Sequence, residues 1–184
     1  MVVGISVVFD SSFDVGWRSE MDIMLIATWD GKEGEVFTDL DLSEKVLGCK
    51  IWDITDDTWK TNSEIVVGHN LHGEFKTFGV DLLTEVKKAS GAYFGNEGKR
   101  YALNDLARWN RCRALPVELI TKIKRNVAWI KGQHIKVARW AIEDARLCFD
   151  LYKKIEKSGE VKISDAMTGK KPTIPIMLRT DEEE

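Results

Sequence analysis

The chain has 184 residues, of which 43% are hydrophobic and 31% are charged, and its formal net charge is −3. This size and balance are typical of one soluble globular domain that can bury a core. No apolar run approaches the roughly 18 residues of a membrane span, and the opening MVVGISVVFD lacks the basic region of a secretory signal, so we expect no membrane partner.

Cysteine usage indicates a reducing compartment. Cys49, Cys112 and Cys148 are far apart in the chain and form no CxxC pair. An odd number of cysteines with this spacing supports neither a disulfide framework nor a zinc ribbon. We therefore expect three buried free thiols and a cytoplasmic protein.

Charge is distributed unevenly along the chain. Residues 99–139, which we call the basic segment, contain eleven Lys or Arg and two acids, a local balance of +9, so the other residues together carry −12. Such asymmetry favours a polyanionic partner that meets one part of the surface. The alternative is a solvated helical region that happens to be basic.

The first half of the chain is dominated by short runs of β-branched residues. Four strands are predicted from them: VVGISVVF (2–9), MDIMLIATW (21–29), EVFTDL (35–40) and EIVVG (64–68). Asp30–Gly31 is a hairpin signal between the second and third strands, with a loop longer than two residues. A short helix is predicted over residues 41–49. Its cap is Asp41 or Ser43, and it ends near Gly48.

The second half predicts helices. They cover DLLTEVKKASG (81–91), YALNDLARWNRC (101–112), a segment from Pro116 to Gly132, and residues 135–156. Gly91 is expected to close the first helix, and residues 93–100 to form a loop. The third helix has an apolar face of Leu119, Ile120, Ile123 and Val127. The long helix has apolar residues at helical spacing: Val137, Ala141, Ala145, Cys148, Tyr152 and Ile155.

The end of the chain completes the predicted fold. VKISDAMTGKKPTIPI (161–176) predicts a β-hairpin turned at Thr168–Gly169. The order of elements predicts an α/β fold, a mixed β-sheet flanked by α-helices, in a single domain over residues 1–178. The acidic tail, residues 179–184, is expected to be disordered.

Three acids lie where their side chains can converge. Asp10 follows the first strand, where open α/β sheets bind ligands, and Glu74 lies just beyond another buried strand. Asp144 is one helical turn after Trp140, on an apolar stripe where an acid is costly unless it is paired or bound to a metal. For each acid considered alone, a helix cap or a surface charge is the simpler interpretation. Together they are hard oxygen ligands that suit Mg²⁺ or Mn²⁺, and two such ions can clamp both oxygens of a phosphodiester.

This array resembles the DEDD 3′–5′ exonucleases, the proofreading type built on an RNase H-like fold. In that family the first strand ends in Asp-x-Glu, a second motif runs Asn-x-x-x-Asp, and a late helix carries Tyr-x-x-x-Asp or His-x-x-x-x-Asp. Here Asp10 of VVFDSSFD, Asn70 of GHNLHGE and Asp144 of WAIEDARLCFDLYKKI match those motifs. The resemblance covers residues 3–157. It implies an RNase H-like sheet and a metal site formed by Asp10, Glu74 and Asp144.

The chain departs from the family pattern in all three motifs. Ser12 stands where the first motif has Glu, and Asp14, two residues later, is a candidate substitute. Glu74 stands in the Asp position of the second motif, which lengthens that ligand by one methylene. Trp140 replaces the Tyr that would position the attacking water. An indole can donate one hydrogen bond but accepts none, although it can stack on a terminal base.

The resemblance implies a 3′–5′ exonuclease that acts on single-stranded DNA, with Asp10, Glu74, Asp144, Asp14 and Trp140 as catalytic residues. Asn70 would orient the second-motif loop. Four cations of the basic segment are expected to hold the strand: Arg108, Arg111, Lys131 and Arg139. RNA is not excluded as substrate. The alternatives are a nuclease-like module that binds nucleic acid without cleaving it, and a metal-dependent phosphatase or nucleotide hydrolase. His69 and His72 are expected to hydrogen-bond locally or to face solvent.

Overall fold

The computed structural model describes residues 1–9, 23–56, 62–71, 75, 79–94, 99–112, 122–165 and 167–178. The strands are β1 (Val2–Phe9), β2 (Ile23–Trp29), β3 (Gly34–Phe37), β4 (Lys50–Trp52), β5 (Ile65–Gly68), β6 (Gly79–Asp81), β7 (Lys99–Arg100), β8 (Glu160–Lys162), β9 (Ser164–Asp165) and β10 (Thr173–Pro175). The helices are α1 (Glu44–Leu47), α2 (Leu82–Phe94), α3 (Leu103–Trp109), α4 (Lys122–Ile130) and α5 (His134–Ser158).

A mixed sheet forms the centre of the described chain. Its strand order is β4-β3-β2-β1-β5-β6, with β1 in the interior. The pairs β1–β2 and β2–β3 are antiparallel, whereas β3–β4, β1–β5 and β5–β6 are parallel. The predicted mixed sheet with helices packed against it is therefore confirmed.

The four predicted strands are present as β1, β2, β3 and β5. They could be identified from the sequence because runs of alternating or β-branched apolar residues are typical of buried strands. The Asp30 hairpin is confirmed with a four-residue loop between β2 and β3. Ser43 and Gly48 are the residues that flank α1; the Gly48 N–H bonds the Glu44 carbonyl, whereas the Ser43 side chain makes no capping hydrogen bond. Two strands of this sheet were not predicted. β4 and β6 have three residues each, and both pair in parallel at the edges of the sheet.

One face of the sheet is covered by α5, whose small residues allow the helix to lie close to the strands. Ala138, Ala141 and Ala145 are fully buried. Gly4 of β1 faces this helix, and a Cβ there would overlap the carbonyl oxygen of Ala145 and lie 2.9 Å from the Phe149 nitrogen. The predicted stripe of the long helix, from Val137 through Cys148 to Ile155, is buried as expected. Helix α5 thus runs directly over β1, with its N-terminal half near Val8 and its middle near Gly4.

The opposite face of the sheet has its own apolar cluster. Side chains alternate along β1, so that Val3 and Ile5 point away from α5. They pack with Ile26 of β2, Phe37 of β3 and Val66 of β5, and with Leu71 and Phe75, which come later in the chain than β5.

Three expectations about the helices are corrected. Helix α2 continues through Gly91 to Phe94, since one glycine costs only about 1 kcal/mol inside a helix and does not force its end. Residues 93–94 of the predicted loop therefore belong to α2, and Lys99–Arg100 pairs with β9. In α4, Val127 is 44% exposed rather than buried; among the described residues of that helix the buried one is Ala128.

The terminal hairpin is confirmed, with β8 and β10 antiparallel and Gly169 in a left-handed conformation at the turn. All three cysteines are free, but only Cys148 is fully buried, while Cys49 and Cys112 are half-buried. Burial raises the pKa of the Cys148 thiol well above its usual value and that of Cys112 to about 11. In the described ranges, no helix has both the length and the apolar character needed to cross a membrane.

Candidate functional site

The candidate site lies at one edge of the sheet, where three parallel strands end. β1, β5 and β6 are adjacent, and their registers align Gly4 with Val67 and Gly68 with Asp81. Their carboxyl ends therefore point toward the same edge, which is where open α/β sheets place their ligand sites, although β1 extends to Phe9, four residues beyond the level of Gly68. The chain leaves β1 at Phe9, directly before Asp10, and it leaves β5 directly before His69.

Asp81 organises this edge although sequence reasoning gave it no role. Its side chain is 92% buried, and its Oδ1 accepts hydrogen bonds from the backbone N–H of Asn70 at 2.6 Å and of Leu83 at 3.2 Å. Its Oδ2 accepts a bond from the Thr84 hydroxyl at 2.6 Å. One carboxylate thus satisfies the start of α2 and fixes the turn after β5. A signal was present, because Asp followed by an apolar helix is a typical N-cap pattern.

Asn70, the predicted orienting residue of the second motif, lies in this turn. Its backbone has φ 61°, a left-handed conformation that asparagine tolerates better than most residues. The bond from its N–H to Asp81 stabilises the turn. The chain therefore makes a sharp turn at Asn70, between the end of β5 and the segment that contains Glu74.

His69 is fixed beside the same edge, and the expectation of a local or solvent contact is corrected. Its Nε2 lies 2.6 Å from the carbonyl oxygen of Tyr101, 32 residues away. Since a carbonyl only accepts, Nε2 carries the proton and donates this bond. Burial lowers the pKa of His69, although the Tyr101 carbonyl and the charges of Asp81 and Asp144 act in the opposite direction. Both carboxylates therefore lie within electrostatic range of this ring.

Asp144, the predicted third-motif acid, is paired. Its Oδ2 accepts a hydrogen bond of 2.6 Å from Nη2 of Arg125, and the two side chains are only 18% and 20% exposed. The pair joins α4 to α5 on the side of the helix next to the core residue Cys148, whose pKa the Asp144 charge helps to raise. An acid on this stripe is costly to bury without a partner, and Arg125 supplies that partner. Sequence reasoning missed Arg125, which lies 19 residues earlier.

Trp140 lies one turn before Asp144 and is half-buried. It packs on the cluster formed by β1, β2 and the N-terminal half of α5. The Lys136 ammonium lies 5.0 Å from the centre of its ring. Trp129 and His134 form a second aromatic contact nearby, with ring centres 4.6 Å apart. The junction of α4 and α5 therefore presents aromatic rings and cations together.

The predicted strand-binding cations lie in two separate places. Arg108 and Arg111 belong to α3 and its C-terminal turn; α3 packs near Leu151 and Tyr152 of α5. Lys131 is exposed in the turn between α4 and α5. Arg139 lies on the second turn of α5 and donates a 2.7 Å bond to the Val46 carbonyl, at the end of α1. At a rise of 1.5 Å per residue, the two places are about 18 Å apart along α5.

Three predicted site residues, Asp10, Asp14 and Glu74, lie outside the described residues. Within the part of the chain that is described, no group of three or more His, Cys, Asp or Glu could hold a metal ion. Of the three predicted ligands, only Asp144 belongs to that part of the chain. The donor type of Asp144 fits Mg²⁺ or Mn²⁺, but its Oδ2 is engaged by Arg125. The oxygens of Asp81 are occupied by its three hydrogen bonds.

No protein-family model matches the chain, and no curated protein matches it significantly in sequence.

Proposed function

We propose that the chain is a metal-dependent 3′–5′ exonuclease that hydrolyses single-stranded DNA, on a fold of the RNase H-like type. The observation that supports this proposal is the arrangement of the elements that carry the three motifs. β1 and β5 are adjacent and parallel, and they run toward the same side of the sheet, directly before Asp10 and the Asn70 turn respectively. Asp144 lies on α5, which packs on β1, and its charge acts on His69 beside the Asn70 turn. That Asp10 and Glu74 approach Asp144 is part of the proposal.

The proposed ligands are Asp10, Glu74 and Asp144, with Asp14 as a further carboxylate. Mg²⁺ or Mn²⁺ held there would neutralise the scissile phosphate and activate water for attack on it. Asn70 keeps the second-motif turn in its left-handed conformation, through its bond to Asp81. The mixed sheet with helices packed on it supports the RNase H-like assignment, and the three free cysteines support a cytoplasmic location.

Single strands are favoured as substrate by the surface beside Asp144. Trp140, Trp129 and His134 are aromatic groups on which bases can stack, and Lys131 and Lys136 are exposed cations that can contact phosphates.

Cleavage of a 5′-labelled single-stranded oligonucleotide in Mn²⁺ tests this proposal. Wild type should produce progressively shorter labelled products, and Asp144→Ala should reduce the rate at least about a hundredfold, as loss of a transition-state contact does. The matched control is Asp150→Ala, which removes a carboxylate from the same helix that interacts with Arg146 instead. A parallel RNA oligonucleotide measures sugar preference. Equal cleavage by wild type and Asp144→Ala, or no cleavage by wild type, contradicts the proposal.

A second candidate is a nucleic-acid-binding module derived from a nuclease, and a specific observation favours it. Asp144 already has a cationic partner, because Arg125 occupies its Oδ2. A site whose carboxylate is neutralised by arginine can contribute to binding without metal. This candidate predicts oligonucleotide binding that weakens with salt but is the same with and without Mn²⁺. Calorimetric titration with Mn²⁺ separates the two, since only the exonuclease requires a site that is lost in Asp144→Asn.

A further inference from the structure

The ion pair between Arg125 and Asp144 is a polar link between α4 and α5. Both side chains are about four-fifths removed from solvent, and the 2.6 Å bond is a short charge-assisted one. Helix α4 also contacts the core through Ala128 and Trp129, while its Val127 and Ile130 are exposed.

The pair has a chemical consequence for Asp144. A carboxylate oxygen that accepts a bond from a guanidinium cannot donate its lone pair to a divalent cation in the same direction, and the two cations repel each other. A guanidinium, in turn, binds a phosphate with the same fork geometry that it offers to a carboxylate. In the free protein the anion that pairs with Arg125 is the Asp144 carboxylate. In a nucleic-acid complex a phosphate of the bound strand is a second anion with which Arg125 can pair.

The surroundings of Arg125 favour a phosphate. Residues 122–142 contain six Lys or Arg and no acid. Lys131 and Lys136 of this stretch are exposed beside the aromatic contact of Trp129 and His134. A strand attracted to these cations would bring its phosphates to α4, the helix that carries Arg125.

We propose that Arg125 is a displaceable counter-ion of Asp144: it occupies the carboxylate in the free protein and transfers to a phosphate of the bound strand, which frees Asp144 for a divalent cation. This inference rests on the proposed function, because it assumes that Asp144 is a metal ligand. Arg125 is accordingly a positioning residue that acts through Asp144. Strand and metal then bind with positive coupling, and by reciprocity each increases the affinity of the other by the same factor.

Calorimetric titration of Mn²⁺ tests this, with and without a phosphorothioate oligo-dT strand that resists cleavage. In wild type the strand should tighten Mn²⁺ binding about tenfold, within the usual range of coupling between two sites. In Arg125→Gln, Mn²⁺ should bind about tenfold more tightly without the strand, and the coupling should disappear, because the competing cation is gone. Both effects should be absent when Asp144→Asn is added to Arg125→Gln.

Arg146→Gln is the matched control. It removes the same charge from an arginine that is 17% exposed, two residues from Asp144, but whose partners are Glu143 and Asp150. This variant should keep the wild-type coupling, so a change confined to Arg125→Gln reports the ion pair and not the net charge. Thermal unfolding verifies that each variant folds. If Arg125→Gln does not fold, Arg125→Lys decides, since an ammonium lacks the guanidinium fork and should hold Asp144 less strongly; unchanged Mn²⁺ affinity in that variant overturns the inference.

The two proposals fail in different ways. Equal, Asp144-dependent Mn²⁺ affinity in wild type and Arg125→Gln overturns the counter-ion role and leaves the exonuclease proposal standing. Absence of any Asp144-dependent Mn²⁺ site in both proteins overturns the metal-dependent function, and the counter-ion role with it. Mn²⁺ binding by Arg125→Gln but not by wild type without the strand supports the inference.

Discussion

The carboxylate of Asp81 holds the turn that contains Asn70, because its Oδ1 lies 2.6 Å from the Asn70 nitrogen. The same oxygen caps α2, so the end of β6, the start of α2 and the turn after β5 form one hydrogen-bonded unit. These hydrogen bonds fix the direction in which the chain leaves the sheet after β5. They therefore hold in place the turn at the start of the second motif, which is one side of the candidate site.

Replacement of Asp81 with Ala should lower the free energy of unfolding by about 2–3 kcal/mol. The change leaves the Asn70 and Leu83 N–H groups and the Thr84 hydroxyl without their buried acceptor, and it removes the cap of α2. Urea denaturation measures the loss. Asp53→Ala is the control: Asp53 accepts similar bonds from Thr55 but is exposed, so a comparable loss in that variant would show that burial is not the cause.

Replacement of Asn110, at the end of α3, should lower the free energy of unfolding, because its side chain joins that helix to β8. It is 92% buried; its Nδ2 donates to the carbonyls of Leu106 and Lys162, and its Oδ1 accepts from the Lys162 N–H at 2.7 Å. Asn110→Ala is expected to cost about 2–3 kcal/mol, since it leaves the N–H and the carbonyl of Lys162 without their partner, while the Leu106 carbonyl keeps its bond from the Asn110 N–H. Denaturation and hydrogen exchange of the Lys162 amide test it. Asn110→Asp keeps only the acceptor, so protection of that amide should survive better than in Asn110→Ala; equal protection in both would argue against this role.

Gly4→Ala should destabilise the fold by about 3 kcal/mol or more, because a methyl group there meets the backbone of α5 rather than a movable side chain. Thermal unfolding and near-ultraviolet circular dichroism report the effect. Gly48→Ala provides the comparison: no atom lies within 4 Å of its added Cβ, but its φ is 74°, so left-handed strain of about 1 kcal/mol is the expected cost. Equal effects at the two positions would mean that α5 retreats easily from β1.

Stability should fall as the pH is lowered through the usual pKa of histidine. Burial depresses the pKa of His69 below its ordinary value of 6.5, against the opposing charges of Asp81 and Asp144 and with a small contribution from Lys87. Below that pH the unfolded chain binds a proton that the folded chain does not, so the free energy of unfolding decreases; above it the contribution is complete. His69→Gln, which can still donate to the Tyr101 carbonyl, should flatten this decrease between about pH 7 and pH 5.5.

Thermal unfolding at a series of pH values measures this effect. His134→Gln is the control, since it removes the histidine that contacts Trp129 and leaves His69 in place. An unchanged slope in His69→Gln, or an equal change in His134→Gln, would assign the pH dependence to other groups.

Periodicity predicted the elements that bury a continuous apolar surface. β1 and α5 were identified because their patterns of β-branched or 3.6-spaced residues extend over many positions, and β5 because it begins with three consecutive β-branched residues, 65–67. β4 and β6 were not, because a three-residue strand is defined by the neighbour with which it pairs: Lys50–Trp52 by β3, and Gly79–Asp81 by β5. The helix predicted to begin at Asp81 in fact begins one residue later, with Asp81 as the last residue of β6.

Side-chain contacts were predictable from the sequence only where both residues belong to the same helix or strand. The i,i+4 relation of Trp140 and Asp144 follows from helical geometry. The bond from Arg125 to Asp144 depends on how α4 packs against α5, and the bond from His69 to Tyr101 depends on where β7 and α3 cross the edge of the sheet. No pattern in the sequence specifies those packing angles. Whether Asp10 and Glu74 complete the site stays a prediction.

The close contact of β1 with α5 affects how this protein is made. Gly4 and Ala145 touch in the folded state but are more than a hundred residues apart in the sequence, so the centre of the sheet is completed only after most of these residues have been synthesised. At ribosomal rates of about 5–20 residues per second, α5 follows β1 by roughly 7 to 30 s. During that interval Val8, Leu25, Ala27 and Val36 lack the helix that buries them. The nascent chain is then an aggregation-prone hairpin, and a chaperone that binds apolar strands would shield it until α5 emerges.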